Sequence, residues 1–299
     1  MKDMLNKDIP EGLIGETWEI SAHPKGLSYV DNGPLKGMSL SEVVEKFGED
    51  LMGSEICAKY EKSFPLLVKF LDVNDVLSVQ VHPDDRQAQA LENYPRGKAE
   101  AWYILNTKPG FKLYIGFKQG VKKDELVPAL NEGRAEDLLN RIDVKRGDCI
   151  YLSPGTTHAC GNGILMLEIQ QSSDLTYRVY DWNRVDEKGR GRDLHTEKAL
   201  KVIDFSKQPQ VSHAEDVPDK MNMVLSCPHF DIYKVITRNR FALPAGDSCV
   251  AGTLTDGSCA IEYDSEKIKL IRGDSFVIPA DLSAAIKSDY CEIIATIIK

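Results

Sequence analysis

Short apolar stretches with a period of two residues recur along the chain, separated by turn-forming Gly, Pro and Asp. A period of two is typical of β-strands, in which alternate side chains lie on opposite faces. Helical patterns interrupt these stretches at a few places: residues 39–53, 84–94, 122–142 and 196–205. Many short strands divided by turns are typical of a sandwich or small barrel, of which the jelly roll is one form. The pattern therefore predicts a mainly β fold with a few helices.

The heptapeptide VQVHPDD combines a strand pattern with residues that can bind a metal. Alternation predicts that Gln80 and His82 lie on one face of a strand. Val79 and Val81 then lie on the other face, and Pro83 ends the strand because it cannot donate to a β-ladder. An amide oxygen beside an imidazole nitrogen suits a divalent metal, although a polar face on an edge strand would have the same pattern.

Further strands downstream carry more polar residues of the same kind. In KAEAWYIL, residues 98–105, the alternation places Lys98 and Glu100 on one face. GFKLYIGF, residues 110–117, follows after a turn, and we predict that it pairs with 98–105. A third strand region begins near residue 145 and contains His158 in the turn sequence PGTTHA.

An internal repeat predicts two related β units. Residues 145–159 and 271–285 share Arg-Gly-Asp, an apolar strand, a Pro turn and a second strand, although a turn motif can also recur by chance. His158 of the first copy corresponds to an alanine in the second. We therefore predict a metal-binding catalytic domain with short helical segments at 1–210. A smaller C-terminal β domain without metal is predicted at 211–299.

Composition narrows the class of protein. The chain of 299 residues is 42% apolar and 28% charged, has a net charge of −9, and contains no dense run of Lys and Arg. These values favour a globular protein that binds neither nucleic acid nor membrane. The N-terminal sequence lacks an apolar stretch of signal-peptide length, which together with the cysteines predicts a cytoplasmic location and reduced thiols. We expect a monomer or a weak homo-oligomer. The seven cysteines are scattered and odd in number: Cys57, Cys149, Cys160, Cys227, Cys249, Cys259 and Cys291.

Four residues on predicted strands are candidate metal ligands: Gln80, His82, Glu100 and His158. A barrel can bring such residues together although they are far apart in sequence. Two imidazole nitrogens and one carboxylate oxygen suit zinc, and a weaker amide oxygen leaves room for substrate or water. Manganese, cobalt and iron use similar ligands, so the donor set by itself leaves the metal open.

Four sequence blocks follow one another within residues 10–200: FPLLVKFLDVNDVLSVQVHPDD, KAEAWYIL, PGTTHA and QQSSDLTYRVYDW. Together they resemble the type I mannose-6-phosphate isomerases (phosphomannose isomerases), and most closely the short bacterial form of that family. The resemblance implies a cupin fold, which is a double-stranded β-helix of the jelly-roll kind. It further implies one zinc ion per chain and interconversion of mannose 6-phosphate and fructose 6-phosphate.

The resemblance also implies roles for individual residues. The residues that fall on the zinc ligands of the family are Gln80, His82, Glu100 and His158. Arg178 falls on the essential arginine of the family. Lys98 falls on its lysine two residues before the ligand glutamate. Those that fall on positions linked with the substrate phosphate are Lys69 and Ser78.

The chemistry of the implied reaction accounts for the arginine. Aldose–ketose isomerisation moves a proton between C1 and C2 through an enediol(ate), and the carbonyl oxygen gains negative charge on the way. A Lewis acid or a cation beside that oxygen stabilises the transition state more than the ground state. Arg178 suits this role because a guanidinium is permanently charged. Alternation along its strand predicts that Arg178 and Tyr180 share one face.

The catalytic base is left open at this point. Lys98 could serve if neighbouring positive charge favours its neutral amine. Glu168 is a rival because its apolar neighbours predict burial, which makes a carboxylate more basic. A water activated by the metal is a third candidate, and a hydride shift between the two carbons needs no base. On spacing alone, we take Lys98 as the hypothesis.

Two other classes of protein share parts of this pattern. An Fe(II) oxygenase of the cupin superfamily also uses two histidines and a carboxylate. A non-catalytic sugar-phosphate-binding cupin would keep the fold and the basic residues. Gln80 as a fourth ligand, together with Lys69, Lys98 and Arg178, favours a phosphorylated sugar and zinc over both alternatives.

Overall fold

The computed structural model of the chain describes residues 1–7, 9–10, 12 and 14–299, with only the backbone at residue 3. Its α-helices are α1 (Lys2–Leu5), α2 (Leu40–Met52), α3 (Ser54–Lys59), α4 (Asp85–Glu92), α5 (Lys123–Asn131) and α6 (Thr196–Val202). Two short 3-10 helices are Gly33–Leu35 and Ala135–Leu138. None of the helices in the described residues has the length and apolar character that a bilayer crossing requires.

The strands of the first half of the chain are β1 (Glu16–His23), β2 (Gly26–Leu27), β3 (Leu66–Val73), β4 (Val79–Val81), β5 (Glu100–Thr107), β6 (Leu113–Phe117), β7 (Leu139–Ile142) and β8 (Asp148–Leu152). Those of the second half are β9 (His158–Cys160), β10 (Ile164–Gln171), β11 (Tyr177–Tyr180), β12 (Gln210–His213), β13 (Met221–Ser226), β14 (Phe230–Thr237), β15 (Arg240–Leu243), β16 (Val250–Tyr263), β17 (Glu266–Ile271), β18 (Ser275–Ile278) and β19 (Ala284–Ile298). The predicted mainly β class with a few helices is confirmed.

The helix predicted at 39–53 begins and ends where its sequence signals indicate. Ser39 is the N-cap of α2: its side chain accepts from the backbone N–H of Glu42, and the Glu42 side chain accepts from the backbone N–H of Ser39. This capping box satisfies two amides that the first helical turn leaves without partners. Gly53 follows the last residue of α2 with a φ of 87°, a left-handed conformation that glycine adopts without steric cost.

The chain divides into two compact units. One combines Met1–Phe70 with Ser212–Lys299, and the other is Leu71–Val211. The predicted domains, 1–210 and 211–299, stay a prediction. We call the compact unit that contains both chain ends the terminal unit, and the unit Leu71–Val211 the central unit.

The terminal unit contains a large antiparallel sheet with the order β13-β14-β19-β16-β17, to which β15 and β18 add pairs with β19 and β16. One face of this sheet carries an apolar core in which Val235, Leu254 and Ile293 are fully buried. The second copy of the repeat forms β18, a turn and the start of β19.

The central unit packs two layers of strands around a second core. One layer has the order β11-β4-β9-β6-β7, and the other contains β8, β5 and β10 as neighbours. Side chains from both layers form one buried apolar cluster, which includes Trp102, Ile104, Met166, Leu113, Ile115 and Cys160. This packing gives residues from different strands a common interior, which is where the predicted ligands lie.

The predicted pairing of residues 110–117 with 98–105 is wrong. In the structure β6 pairs with β7 and β9, whereas β5 pairs with β8 and β10. After β5 the chain therefore crosses to the opposite layer instead of folding back as a hairpin. A turn sequence between two strands indicates a change of direction but does not specify the layer that receives the second strand.

A β-bulge corrects the prediction for Arg178 and Tyr180. Arg178 lies opposite Gln80 on β4, but the register shifts and Tyr180 lies opposite Val79. Register partners share a face, and consecutive residues of β4 face opposite sides. Arg178 therefore faces the side of Gln80. Tyr180 turns instead into the apolar cluster that contains Val79.

Candidate active site

Three buried side chains meet inside the central unit. Glu100 begins β5, His158 begins β9, and His82 directly follows β4. The Nε2 atom of His158 lies 3.2 Å from Glu100 Oε1, and the Nε2 atom of His82 lies 3.6 Å from Glu100 Oε2. One candidate ligand atom from each residue lies within 4.8 Å of the others. We call this group the His-Glu-His triad.

Backbone carbonyls fix the orientation of both imidazoles. The Nδ1 atom of His82 lies 2.8 Å from the carbonyl oxygen of Leu175, and Nδ1 of His158 lies 2.9 Å from that of Thr156. A nitrogen in contact with a carbonyl must carry the proton to form a hydrogen bond, so Nδ1 donates in both rings. The lone pair is then on Nε2, the atom that faces Glu100. Metal-binding histidines are held in this way in proteins.

The triad has the donor atoms of a divalent cation site. Among the described residues, His158 Nε2 and Glu100 Oε1 are buried without a hydrogen-bond donor, whereas the ammonium of Lys98 contacts Glu100 Oε2. Buried lone pairs that face one another are unfavourable unless a cation or a donor satisfies them. Two imidazoles and a carboxylate in this arrangement fit zinc, and they also fit other divalent transition metals.

The electrostatics of the triad favour the protonation states that bind metal. Burial, and next the charge of Lys98, lower the pKa of His82 to about 4, so its imidazole is neutral near pH 7. Burial raises the pKa of the Glu100 carboxyl, but the charge of Lys98 is the first of the opposing effects, and the pKa lies well below its usual value. Neutral imidazole and ionised carboxylate are the forms that coordinate metals.

The structure brings Lys98 to the triad, as the spacing predicts. Its Nζ atom lies 2.7 Å from Glu100 Oε2 and 3.3 Å from His82 Nε2, and the side chain is buried. Gln80 lies opposite His158 in the register of β4 and β9, so the two residues share a face. Its role as a fourth ligand stays a prediction.

Glu168 is linked to the triad through Trp102, which contacts both Glu168 and His158. It sits opposite Trp102 in the pairing of β10 with β5, and Trp102 Nε1 donates to Glu168 Oε2 at 2.9 Å. The ring of Trp102 packs edge-on against the ring of His158, with 5.3 Å between the ring centroids. Glu168 is buried, as its apolar neighbours predict.

Arg178 lies on β11 beside Gln80, within the same unit. One terminal nitrogen of its guanidinium donates to the carbonyl oxygen of Asp193 at 2.7 Å, and its Nε atom is buried with no hydrogen-bond partner in the part of the chain that the structure describes. Burial and then the charge of Arg192 lower the pKa of Arg178. The guanidinium thus has donor capacity that the protein leaves unused.

The two residues linked with the substrate phosphate have different surroundings. Lys69, in the terminal unit, is largely buried. Its Nζ atom lies 5.0 Å from the ring centroid of Trp18 and 3.8 Å from Glu16 Oε2. Ser78 is buried in the central unit, two residues before Gln80. Their role in binding phosphate stays a prediction.

Sequence reasoning missed a group of residues around Arg178. Asp181 is buried and accepts hydrogen bonds from two arginines, and His195 forms hydrogen bonds with the backbone of Arg178. Asp181 stands in the block YRVYDW, but a lone aspartate after a strand has the pattern of a turn residue. The position of Asp181 three residues after Arg178 is the only signal that the sequence offers.

Comparison with known proteins agrees with the geometry. Residues 1–119 match the family model for the catalytic domain of type I phosphomannose isomerase. The chain is 38% identical over 296 residues to "Probable mannose-6-phosphate isomerase GmuF" of Bacillus subtilis, covering 98% of this chain and 92% of that protein. It is 37% identical over 292 residues to the mannose-6-phosphate isomerase of Streptococcus mutans, covering 97% and 90%.

A solved structure extends the likeness to the whole fold. The crystal structure of the mannose 6-phosphate isomerase from Bacillus subtilis superposes with a TM-score of 0.89 at 35% identity, covering 99% of this chain and 93% of that one. This likeness confirms the predicted cupin fold. Identity at this level over nearly the full length of several relatives establishes the family predicted from the four sequence blocks. The chain belongs to the type I mannose-6-phosphate isomerases.

Proposed function

We propose that the protein is a zinc-dependent mannose-6-phosphate isomerase that interconverts mannose 6-phosphate and fructose 6-phosphate. The observation that carries the proposal is the buried His-Glu-His triad, in which His158 Nε2 and Glu100 Oε1 lack a hydrogen-bond donor and Lys98 contacts Glu100 Oε2. Relatives that align with nearly the whole chain are named mannose-6-phosphate isomerases, which supports mannose 6-phosphate as the substrate. All seven cysteines are buried and none forms a disulfide within the described residues, which supports a reducing, cytoplasmic location.

The residues proposed to hold one zinc ion per chain are His82, Glu100, His158 and Gln80. When bound, the ion supplies a Lewis acid beside the sugar carbonyl. The guanidinium of Arg178 adds fixed positive charge on the face of β4 that carries Gln80. Its unused Nε–H supports this role, since a preorganised donor stabilises an oxygen that gains charge.

The proton transfer of the enediol(ate) route is assigned to Lys98. The ammonium of Lys98 at Glu100 would first have to lose a proton, which a cation held by Glu100 would favour by charge repulsion. The neutral Nζ then accepts the proton from C2 of mannose 6-phosphate and returns it to C1, while the hydroxyl proton on O2 moves to O1. Lys98 contacts two members of the triad, which supports it over Glu168, whose carboxylate is engaged by Trp102. A base must lie within hydrogen-bonding reach of the proton that it removes.

We assign binding of the substrate phosphate group to Lys69 and Ser78. We expect Lys69→Ala to raise KM about tenfold or more while lowering kcat less than threefold, because binding shared by ground state and transition state is lost. Steady-state kinetics with mannose 6-phosphate measures both constants. Lys7→Ala is a matched control, since Lys7 also contacts a glutamate, Glu19, and an aromatic ring, Phe70. A loss confined to kcat would contradict the assignment.

The direct test of the proposed function is turnover before and after chelation. Purified protein should convert mannose 6-phosphate to fructose 6-phosphate, lose activity when its metal is removed, and regain it when zinc is added. Absence of turnover in the zinc-loaded protein would contradict the proposal. Binding of the sugar phosphate without turnover would identify a non-catalytic cupin, and oxygen consumption with bound iron would identify an oxygenase.

A further inference from the structure

Asp181, which directly follows β11, is at the centre of a network around Arg178. It is 5% exposed, and its carboxylate accepts from Nε of Arg192 at 2.8 Å and from a terminal nitrogen of the same side chain. A terminal nitrogen of Arg184 donates to the same carboxylate. Burial raises the pKa of Asp181, but the bonds from Arg192 and Arg184 outweigh it, so the pKa lies below its usual value.

The hydrogen bonds between Asp181 and Arg192 fix the segment 192–195, which contacts Arg178. Asp193 offers its carbonyl oxygen to the Arg178 guanidinium at 2.7 Å. Nδ1 of His195 accepts from the backbone N–H of Arg178 at 3.0 Å, and the backbone N–H of His195 donates to the Arg178 carbonyl at 2.8 Å. Backbone and side chain of Arg178 are thus both bound to residues 192–195, which Asp181 anchors through Arg192.

The hydrogen bond between Asp181 and Arg184 fixes the segment 75–77, which leads into β4. Arg184 donates to the carbonyl oxygen of Val76 at 2.6 Å and to Asp75 Oδ2 at 3.3 Å. Between Asp181 and Arg184, Trp182 donates from its indole to the carbonyl of Leu77 at 2.8 Å. Trp182 has a φ of 56°, a conformation that is unfavourable for a bulky residue and that the surrounding contacts must maintain.

The charges explain why this network needs an anion at its centre. The guanidiniums of Arg192 and Arg184 both act to lower the pKa of Arg178, whereas Asp181 and then Asp193 act to raise it. Three like charges close together repel one another unless a carboxylate lies among them. A bidentate bond from arginine to a carboxylate also fixes direction, which a lone charge does not.

We propose that Asp181 is a positioning residue of the isomerase. It fixes Arg178 through Arg192 and residues 192–195, and it fixes the entry to β4 through Arg184. The inference rests on the proposed function, in which Arg178 stabilises the oxygen that gains charge. An interaction that strengthens in the transition state affects kcat more than KM. Displacement of Arg178 should therefore lower kcat and leave KM nearly unchanged.

The test begins with Asp181→Asn in the full-length, zinc-loaded protein. We expect kcat to fall about a hundredfold, because a displacement of about 1 Å in a catalytic group has effects of this order. We expect KM within about threefold of wild type and an unchanged metal content, since Asp181 contacts no member of the triad. Asp186→Asn is the matched control: it breaks the exposed contact of Asp186 with Arg190 in the same segment and should leave kcat unchanged.

A double-mutant cycle separates positioning from a general structural effect. If Asp181 acts through Arg178, Asp181→Asn should lower kcat less than about threefold in an Arg178→Lys background. Equal losses in both backgrounds, or a wild-type kcat for Asp181→Asn, would overturn the inference. If Asp181→Asn does not fold, Arg192→Lys takes its place, because it keeps the charge but loses the two-point bond. A wild-type protein without turnover would instead contradict the proposed function itself.

Discussion

Glu100→Gln is expected to abolish turnover and to remove the bound metal. The substitution keeps the shape of the side chain but replaces an ionised ligand by a neutral amide whose nitrogen donates hydrogen bonds. Both carboxylate oxygens face imidazole nitrogens or the ammonium of Lys98 inside a fully buried site, and none of these groups replaces the lost negative charge. A fall in kcat of at least about a thousandfold follows if the reaction depends on the metal.

Metal content after dialysis and turnover at saturating mannose 6-phosphate are the two measurements for this variant. Glu92→Gln is the matched control, because it breaks a lysine–glutamate contact of the same 2.7 Å length, with Lys198, outside the triad. The control should retain its metal and most of its activity. A Glu100→Gln protein that holds one zinc ion and turns over normally would rule out Glu100 as a ligand.

Lys98→Met is expected to abolish turnover while the metal stays bound. Methionine fills a similar volume and removes the ammonium from 2.7 Å of Glu100 without removing any of the proposed ligands. Loss of a general base lowers rates by about a hundredfold to ten-thousandfold. Turnover combined with metal analysis therefore separates this variant from Glu100→Gln. Near-normal turnover would remove Lys98 from the role of base.

Two further measurements distinguish the alternatives to Lys98. Glu168→Gln keeps an acceptor for Trp102 and should retain most of the activity if Lys98 is the base. Reaction in D₂O reports on the route itself, because an enediol(ate) allows deuterium to enter at the carbon that receives the proton. Complete retention of the substrate hydrogen would support a hydride shift, for which no base is required.

The sequence predicted the members of the His-Glu-His triad better than the connections between the strands that carry them. Alternation predicted that Gln80 and His82 lie on one face of a strand, and His158 was predicted in a strand region. Gln80 lies on β4, His82 directly follows β4, and His158 begins β9 opposite Gln80. Such predictions need only local geometry, since the face of a strand follows from its period. The resemblance of the four sequence blocks added the family and the cupin fold.

Features that depend on distant segments were beyond sequence reasoning. The pairing of β6 with β7 and β9 depends on which layer offers an open edge. The bulge that separates the faces of Arg178 and Tyr180 adds one residue to β11, and no glycine marks it in the sequence. The role of Asp181 depends on arginines that follow it by 3 and by 11 residues and that fold back onto it.

The carbonyl groups that orient His82 and His158 have a consequence for how this site tolerates mutation. Leu175 and Thr156 act on the imidazoles through main-chain oxygen atoms, which every amino acid possesses. Side-chain substitutions at these positions can therefore accumulate without turning the rings, provided that the local backbone path is kept. Changes in chain length nearby would have the opposite effect, since they move the oxygen atoms. The geometry of the His-Glu-His triad therefore depends more on the lengths of these loops than on the identity of their residues.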